Sequence, residues 1–338
     1  MKVLIVCSKN SGRIAPFITD QVEALEKTGL ICDYFAIQGR GLKGYLSQRA
    51  GLFRKIQSFQ PNIIHAHYGL SGLLANMQRK IPVVTTYHGS DINVPKVFWL
   101  SKINMVLSAF NILVSEKMTS RPLPKPLQRR GGKKETPLTS LLEKEGKKIL
   151  KSPLRNGRER GFALIPCGVD MELFVPIDKA EARQKMKLEV DKKYVLFSGA
   201  FNNKVKNPEL AQAALALMPG VGLLELKGYS RQEVAMLMNA VDAVLMTSYT
   251  EGSPQFIKEA MACNCPVVSV PVGDVPEVLK GVEGCYTTAY EPADIAAKLQ
   301  QVLLENERTK GRQVIAKRGL DAVSVAGRIR EVYEFVIH

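Results

Sequence analysis

The chain has 338 residues, which is longer than one ordinary domain and predicts two. Hydrophobic residues make up 46% of the sequence and charged residues 23%, the balance of a globular protein with sizeable cores. No run reaches the roughly 18 uninterrupted apolar residues of a membrane span, because the nearest candidate, residues 98–114, contains Lys102 and Asn104. We therefore expect a protein that is not integral to a membrane.

The net charge of +15 is concentrated in one segment. Residues 117-160 contain 14 Lys/Arg and 4 Asp/Glu, together with several prolines and a pair of glycines. This composition predicts that residues 118-160 form a basic, mobile insertion, in which residues 141–150 have the pattern of one short helix. The positive charge of residues 117-160 also predicts contact with an anionic membrane surface.

The cysteines and the first residues indicate the compartment. Six cysteines are scattered along the chain without a C-x-x-C pair, which favours reduced thiols in the cytoplasm over disulfides or a zinc site. The apolar run of residues 1–7 is too short for a signal peptide and predicts a first buried strand.

In chain order, short apolar runs alternate with amphipathic stretches. A strand at residues 3–6 precedes a helix over residues 16–27, which Gly29 ends. In the second half, Asn207 as N-cap and Pro208 at the first helical position open another helix. An amphipathic helix over residues 325–337 comes last. Further strands are predicted at residues 62–67, 83–87, 111–114, 194–199, 223–226, 243–247 and 266–270.

Strands separated by helices predict parallel, helix-flanked sheets, and we expect two Rossmann-like α/β domains facing each other across a ligand-binding cleft. The first domain is predicted over residues 1-160 and the second over residues 161-324. The final helix, residues 325-338, is expected to pack back towards the N-terminal domain. Residues 97–100 are apolar, and we expect them to pack into a core, with an apolar contact to a membrane surface as the alternative.

The most informative loop follows the strand at residues 243–247. It contains Glu251 and Gly252, and it leads into a helix with Ser253 as the predicted N-cap and Pro254 at the first helical position. The free amide groups of such a helix form an anion site at the end of the strand. Glu259 lies eight residues after Glu251, inside the helix. Two glutamates near a helix start are also consistent with capping or with solvated side chains.

The surrounding motifs resemble the retaining glycosyltransferases of family 4 (group 1), which have the GT-B fold. The resemblance covers nearly the whole chain except residues 118–160. Its motifs are the Glu-Gly-x-Pro loop with the E-x7-E spacing and Glu259-Ala260-Met261-Ala262-Cys263, Ile165-Pro166-Cys167-Gly168-Val169-Asp170, Val272-Gly273-Asp274-Val275-Pro276-Glu277, His65-Ala66-His67, and Thr86-Tyr87-His88-Gly89-Ser90-Asp91.

The resemblance implies roles for individual residues. Glu251 and His88 would be the catalytic residues at the donor sugar, Glu259 would bind the ribose of the nucleotide, and Lys206 would bind the leaving diphosphate. The other implied donor-binding residues are Gly252, Ser253, Pro254, Gly199, Lys204 and Gly12. For Lys204, a backup to Lys206, the sequence favours a solvated loop lysine, and for Gly12 a plain turn glycine is the alternative.

One position departs from the family. An arginine usually follows the glycine that ends the first strand of the donor domain, and here Ala200 stands in its place. Either Lys204 substitutes for that arginine or the donor binds more weakly.

We expect no cofactor and no divalent metal ion. His65 and His67 project to one face of a strand, as metal ligands would, but no third ligand is expected nearby. Phosphate is instead expected to be bound by Lys206 and the helix terminus.

The resemblance implies a retaining hexosyltransferase that moves a sugar from a nucleotide-sugar, a UDP-sugar by preference, to a glycolipid or other glycan acceptor of the cell envelope. Residues 1-160 would then form the acceptor side and residues 161-324 the donor domain. The enzyme would be cytoplasmic and peripheral on the inner face of the plasma membrane. The alternatives are a nucleotide-sugar epimerase or phosphorylase on the same fold, and a non-catalytic basic membrane- or nucleic-acid-binding protein. A nucleic-acid partner is not expected, because the basic run lacks interleaved aromatic residues.

Overall fold

A computed structural model of the chain describes residues 1–93, 95–118, 149–153 and 159–338. These residues divide into two units. The first comprises Met1–Cys167 together with Val323–His338, and the second comprises Gly168–Ala322. The division after Cys167 falls later than the predicted boundary after residue 160, because a strand over Glu159–Leu164 belongs to the sheet of the first unit.

The first unit is built on a seven-stranded sheet with the order β2-β1-β3-β4-β5-β7-β6. All its strand pairs are parallel except that of β6 with β7. The strands are β1 (Lys2–Ser8), β2 (Ile31–Ile37), β3 (Ile63–His67), β4 (Val83–Tyr87), β5 (Phe110–Leu113), β6 (Ile149–Pro153) and β7 (Glu159–Leu164).

The helices of the first unit flank this sheet. α1 has the predicted bounds, and its buried residues Ile18, Val22 and Leu25 recur at helical spacing. Gly29, at φ +85°, follows its end. The helices are α1 (Pro16–Lys27), α2 (Gly41–Leu46), α3 (Arg49–Phe59), α4 (Gly69–Asn76), α5 (Ser90–Asn93) and α6 (Pro95–Leu107).

The second unit is built on a parallel five-stranded sheet with the order β12-β11-β10-β8-β9. Its strands are β8 (Lys193–Phe197), β9 (Val221–Glu225), β10 (Ala243–Met246), β11 (Val267–Ser269) and β12 (Cys285–Thr287). Its helices are α7 (Lys179–Met186), α8 (Pro208–Ala216), α9 (Arg231–Ala240), α10 (Gln255–Ala262), α11 (Val275–Leu279), α12 (Pro292–Glu305) and α13 (Gly311–Lys317). Separate apolar clusters cover the two faces of the sheet. Two helix-flanked, mainly parallel sheets confirm the predicted fold class.

The chain ends in α14 (Ala322–Ile337), which spans the predicted helix and starts three residues earlier. All of this helix except its first residue belongs to the first unit. The Tyr333 hydroxyl lies 2.5 Å from His65 Nδ1, and Arg330 donates to the carbonyl of Thr28 at 2.8 Å. The C-terminal helix therefore contacts the first unit at β3 and at the end of α1.

The predicted mobile insertion is wrong for the described residues at its end. β6 and β7 pair antiparallel, and β7 extends the sheet beyond β5. Gly161 permits this extension, because a Cβ there would lie 1.9 Å from the Phe110 ring. Asn156-Gly157, a dipeptide typical of hairpin turns, is the sequence signal for such a strand pair, and the prediction of a mobile insertion did not use it. Residues 119–148 and 154–158, which carry much of the predicted membrane contact, lie outside the described residues.

The expected burial of residues 97–100 is wrong for Trp99, which is 65% exposed. α6 packs against α4 through other residues: Gly69 and Gly72 of α4 approach Ser101 and Asn104 of α6 so closely that a Cβ on either glycine would clash. Trp99 therefore points away from this contact. Across the described ranges, no helix is both long and apolar enough to cross a membrane.

Candidate functional site

The second unit gathers charged side chains where its parallel strands end. β10 stops at Met246, and the loop that follows reaches α10. The Thr247 hydroxyl hydrogen-bonds the carbonyl oxygens of Lys206 and Asn207, at 2.9 and 2.8 Å. This contact fixes the loop that leads to Glu251 against the 3-10 turn Lys204–Lys206.

Lys206 and Glu251 form an ion pair at this edge, with Nζ and Oε1 2.6 Å apart. Both side chains are mostly buried. Gly199 makes room for the lysine stem, because a Cβ at that position would lie 2.9 Å from Lys206 Cγ. Lys204 belongs to the same turn but is exposed. The structure therefore brings together Lys206, Glu251 and Gly199.

Glu259 lies on α10 and is almost fully buried. Its Oε1 lies 2.5 Å from Nη1 of Arg231, the first residue of α9. The guanidinium of Arg231 is in turn 4.7 Å from the centre of the Phe174 ring. Sequence reasoning missed Arg231, because a basic residue at a helix start carries no signal of its own. This arginine stabilises the ionised carboxylate of Glu259 and fixes its direction.

The start of α10 differs from the prediction. The helix begins at Gln255, with Pro254 at the N-cap position, so Ser253 is not the N-cap. The Ser253 hydroxyl instead donates to Asp274 Oδ2 at 2.5 Å. Lys258 Nζ donates to the same Ser253 oxygen and lies 3.5 Å from Asp274 Oδ2. A serine held by two charged residues is not available to cap the helix.

This Lys258–Ser253–Asp274 cluster is buried. Lys258 is fully buried, and burial raises the pKa of the Asp274 carboxyl while the Lys258 ammonium lowers it. The backbone is anchored at the same place, since the Asp274 amide donates to the Gly252 carbonyl at 3.1 Å. Gly273 permits this approach, because a Cβ there would lie 2.4 Å from that carbonyl oxygen. The cluster therefore fixes the backbone of the loop that contains Gly252, Ser253 and Pro254.

Two exposed tyrosines flank the same edge. The rings of Tyr249 and Tyr290 are parallel within 5° with centroids 6.5 Å apart, and the Tyr290 hydroxyl donates to the Ser248 carbonyl at 3.0 Å. On the other side of the loop after β8, Glu225 Oε2 accepts from the Phe201 amide at 2.9 Å. Ala200 therefore lies next to an amide that is bound by a carboxylate.

His88 and Gly12 lie in the first unit. Gly12, at φ +90°, is exposed in the loop between β1 and α1, and this backbone conformation favours glycine. His88 follows β4 and is partly buried. The buried carboxylate of Asp91 accepts from the His88 and Gly89 amides at 3.1 and 3.0 Å, so it holds the backbone of this loop.

His88 is the last of three stacked histidines. Ring centroids are 4.6 Å apart for His65 and His67 and 5.2 Å apart for His67 and His88. His67 Nδ1 lies 3.0 Å from His88 Nε2, and His65 lies between the hydroxyls of Tyr333 and Thr86 at 2.5 and 2.8 Å. The contact of His88 with His67 was not anticipated from the sequence. β3 and β4 are neighbours in the sheet, and a register of this kind is invisible in the sequence.

Burial keeps these imidazoles neutral. It lowers the pKa of His65 and of His88 to about 3, and it lowers the pKa of His67 well below its usual range. His88 therefore acts as a neutral hydrogen-bonding group near pH 7, with one N–H donor and one acceptor nitrogen. Nowhere among the described residues do three or more His, Cys, Asp or Glu side chains form a group suited to a metal ion.

Two family models match the chain. A model described as glycosyl transferases group 1 matches residues 206–305, and one described as glycosyltransferase family 4 matches residues 3–120. Together they cover more than half of the sequence, one in each unit. The chain belongs to the family 4, group 1 glycosyltransferases.

Individual relatives agree with this family assignment. The chain is 25% identical over 304 residues to the D-inositol 3-phosphate glycosyltransferase of Mycobacterium marinum, a match that covers 78% of this chain and 60% of the relative. The chain thus spans about three fifths of the length of that relative.

Solved structures show the same GT-B fold over 99% of the chain. Sucrose-phosphate synthase from Thermosynechococcus elongatus matches with a TM-score of 0.76 at 17% identity, over 98% of its own chain. The Anabaena protein Alr3699/HepE in complex with UDP matches with a TM-score of 0.68 at 18% identity, over all of its chain. The same Anabaena protein also has a structure in complex with UDP-glucose.

The buried cluster makes Lys258 a stability determinant of the second unit. Replacement by methionine (Lys258→Met) leaves the Asp274 carboxylate buried without its cation, and we expect a loss of about 3–5 kcal/mol in the free energy of unfolding, measured with urea. Lys280→Met, at an exposed lysine, is the matched control and should change it by less than about 0.5 kcal/mol. The double variant Lys258→Met/Asp274→Asn should recover part of the loss. Equal stability of Lys258→Met and the control contradicts this assignment.

The histidine stack predicts an acid-sensitive fold. The unfolded chain binds protons at these imidazoles near pH 6.5, whereas folded His65 and His88 bind them only near pH 3, so stability falls as pH falls between these values. Asp91, whose pKa burial raises to about 7, opposes this trend, but three imidazoles outnumber one carboxyl.

We expect urea unfolding to show a loss of the order of 1 kcal/mol per pH unit between about pH 6.5 and 5. A His65→Gln variant should show a shallower slope than the wild type. An unfolding midpoint that is the same at both pH values would contradict the predicted acid sensitivity of the histidine stack.

Proposed function

We propose that the protein is a retaining glycosyltransferase that transfers a hexosyl group from a nucleotide-sugar to a glycan or lipid-linked acceptor of the cell envelope. The observation that carries this proposal is the pair of carboxylates at the edge of the second sheet, each bound to its own cation. Glu251 is bound to Lys206 and Glu259 to Arg231. Such pairs are ready to exchange partners with a ligand that carries both phosphates and hydroxyl groups.

Lys206 has the charge and position to bind the diphosphate of the donor. When the phosphates arrive, its ammonium exchanges the Glu251 carboxylate for phosphate oxygens. The amide groups at the start of α10 add positive potential at the same edge. Charge that develops on the leaving diphosphate is then stabilised by groups of the protein itself, so we propose that transfer needs no divalent metal ion. Gly199 keeps the space in which the lysine stem lies.

The two carboxylates would accept hydrogen bonds from the two sugars of the donor, the transferred sugar and the ribose. Glu251, released from Lys206, accepts hydrogen bonds from hydroxyls of the transferred sugar. Glu259 has one oxygen on Arg231 and directs its charge towards the ribose hydroxyls. Arg231 acts through Glu259 and is therefore a positioning residue.

His88 would act in the same reaction as a neutral hydrogen-bonding group. Its low pKa means that its charge does not change near pH 7. It is therefore suited to orient a sugar hydroxyl and not to supply a proton. Retention of configuration would follow if the acceptor attacks from the face that the nucleotide leaves, so that the new glycosidic bond forms on the side where the bond to the diphosphate breaks. The coupling constant of the anomeric proton in the product tests retention.

The donor class is supported by the relatives. The Anabaena structures hold UDP and UDP-glucose, which favours a UDP-sugar as donor. The mycobacterial relatives are named for a phosphorylated inositol acceptor. All six cysteines are free thiols, which supports a cytoplasmic location. A lipid-linked acceptor would place the enzyme on the inner face of the plasma membrane.

The experiment is calorimetric titration with UDP, GDP, ADP and their sugar conjugates, with and without EDTA. We expect one nucleotide to bind with a micromolar Kd that EDTA does not change. Lys206→Ala should weaken binding at least about tenfold, since a charged hydrogen bond contributes about 1.5–3 kcal/mol, and Glu259→Ala should do the same. Lys204→Ala, in the same turn but exposed, is the matched control and should leave Kd within about twofold.

Two outcomes would contradict the proposal. One is a folded protein that binds none of these nucleotides or nucleotide-sugars. The other is an equal loss of affinity in Lys204→Ala and Lys206→Ala, because the Lys206–Glu251 pair would then contribute no more to phosphate binding than an exposed lysine does.

A further inference from the structure

The imidazole of His88 has two nitrogens, and one of them is already hydrogen-bonded within the first unit. His88 Nε2 lies 3.0 Å from His67 Nδ1. The two ring planes are within 18° of parallel, and the ring centroids are 5.2 Å apart. This separation is close to the N–N distance plus the radii of both rings, so the two nitrogens lie nearly on the line that joins the centroids. A proton on either nitrogen therefore points at the in-plane lone pair of the other.

His67 makes this bond from a fixed position. Its side chain is fully buried, and its ring packs on the ring of His65, with centroids 4.6 Å apart and planes within 21° of parallel. Both ring nitrogens of His65 are themselves bonded, to the hydroxyls of Tyr333 and Thr86 at 2.5 and 2.8 Å. The ring of His67 is therefore held in the direction of His88.

Among the described residues, the ring of His67 hydrogen-bonds to His88 alone. Its second nitrogen, Nε2, is buried without a partner in that part of the chain. Buried polar atoms in proteins usually have partners, and one that lacks a partner calls for an explanation. A leucine would fill this space without leaving a polar atom unpaired. The presence of a histidine here is explained by the bond that its Nδ1 makes to His88.

The other nitrogen of His88, Nδ1, remains for a ligand. Cys167 Sγ lies 3.8 Å from it, and a thiol is a weak hydrogen-bonding group that a hydroxyl oxygen can replace. The rings of Phe17 and Tyr68 pack against the His88 ring at centroid distances of 4.7 and 4.8 Å. His88 is still partly exposed, so this packing orients its ring without enclosing it.

We propose that His67 is a positioning residue, which holds Nε2 of His88 so that His88 binds a hydroxyl of the donor sugar through Nδ1. This rests on the proposed function, in which His88 orients a sugar hydroxyl. It does not depend on which histidine of the pair carries the shared proton. Nδ1 of His88 is a donor when that proton belongs to His67, and an acceptor when it belongs to His88.

The first test replaces each imidazole by an amide and measures sugar transfer. The amide group of asparagine lies where histidine has Nδ1, and the amide group of glutamine lies where histidine has Nε2. We expect His88→Asn, which keeps the ligand-facing group, to retain about five- to tenfold more kcat/KM than His88→Gln. His67→Asn keeps the partner of His88, and it should exceed His67→Gln and His67→Leu by about the same factor.

Folding and nucleotide affinity are measured for every variant. The Kd of the nucleoside diphosphate should stay within about twofold of the wild-type value, because His88 meets the sugar and not the nucleotide. His338→Gln, at an exposed histidine, is the matched control and should transfer sugar as the wild type does. Equal transfer by folded His67→Asn and His67→Gln would mean that His67 only fills the core, and this overturns the proposal. A higher kcat/KM for His88→Gln than for His88→Asn also overturns it, whereas a wild type that binds no nucleotide contradicts the proposed function instead.

A spectroscopic test needs no substrate. The chain has four histidines, so protein labelled with nitrogen-15 at histidine shows four imidazoles, of which His338 is an exposed reference. We expect a scalar coupling between the ring nitrogens of His67 and His88 across their hydrogen bond in the wild type, and its loss in His67→Leu. A folded wild-type protein without this coupling overturns the proposal.

Discussion

The Lys206–Glu251 ion pair joins two loops at the carboxyl edge of the second sheet, and most of the site geometry follows from keeping it there. Lys206 reaches Glu251 because Gly199 leaves room for its stem and because Thr247 fixes the backbone beneath it. A partly buried lysine and glutamate need each other when no ligand is bound, since either charge alone would be poorly solvated. A diphosphate brings its own negative charge and can take the place of the carboxylate.

The two units stabilise their buried polar side chains in different ways. In the second unit, the buried Lys258 and Asp274 lie 3.5 Å apart, and both hydrogen-bond the hydroxyl of Ser253. In the first unit, the stacked histidines lose their charge, because a protonated imidazole between two buried rings would be costly. The first arrangement fixes a loop that meets the donor. The second keeps His88 neutral, as hydrogen bonding to a sugar hydroxyl requires.

The fold was predictable from the sequence because its signals are local. Strand and helix periodicity, Pro16 and Pro208 at helix starts, and Gly29 after a helix end all act within a few residues. The carboxylates of the candidate site were found through the spacing of Glu251 and Glu259 within a family motif. Both glutamates lie within eight residues of each other, in one loop and the helix that follows it, so their spacing can be recognised directly in the sequence.

The parts that the sequence did not reveal depend on contacts between distant segments. Arg231 meets Glu259 across two helices, and Asp274 reaches Ser253 from the loop before another helix. His88 joins His67 only through the register of β3 and β4. We expected Trp99 to lie in a core because its sequence neighbours are apolar. The packed side of α6 is instead the side that carries Ser101 and Asn104, which meet the glycines of α4.

The central claim is that the diphosphate of the donor displaces the Glu251 carboxylate from its ion pair with Lys206. Its most direct test is the Glu251→Gln variant, titrated with the nucleoside diphosphate that binds the wild type and assayed for sugar transfer. The account predicts that the diphosphate binds this variant at least as tightly as the wild type, because no carboxylate competes for the lysine, while transfer falls by about 100-fold or more. Diphosphate binding that falls in parallel with transfer would contradict the exchange, as would transfer that is unchanged.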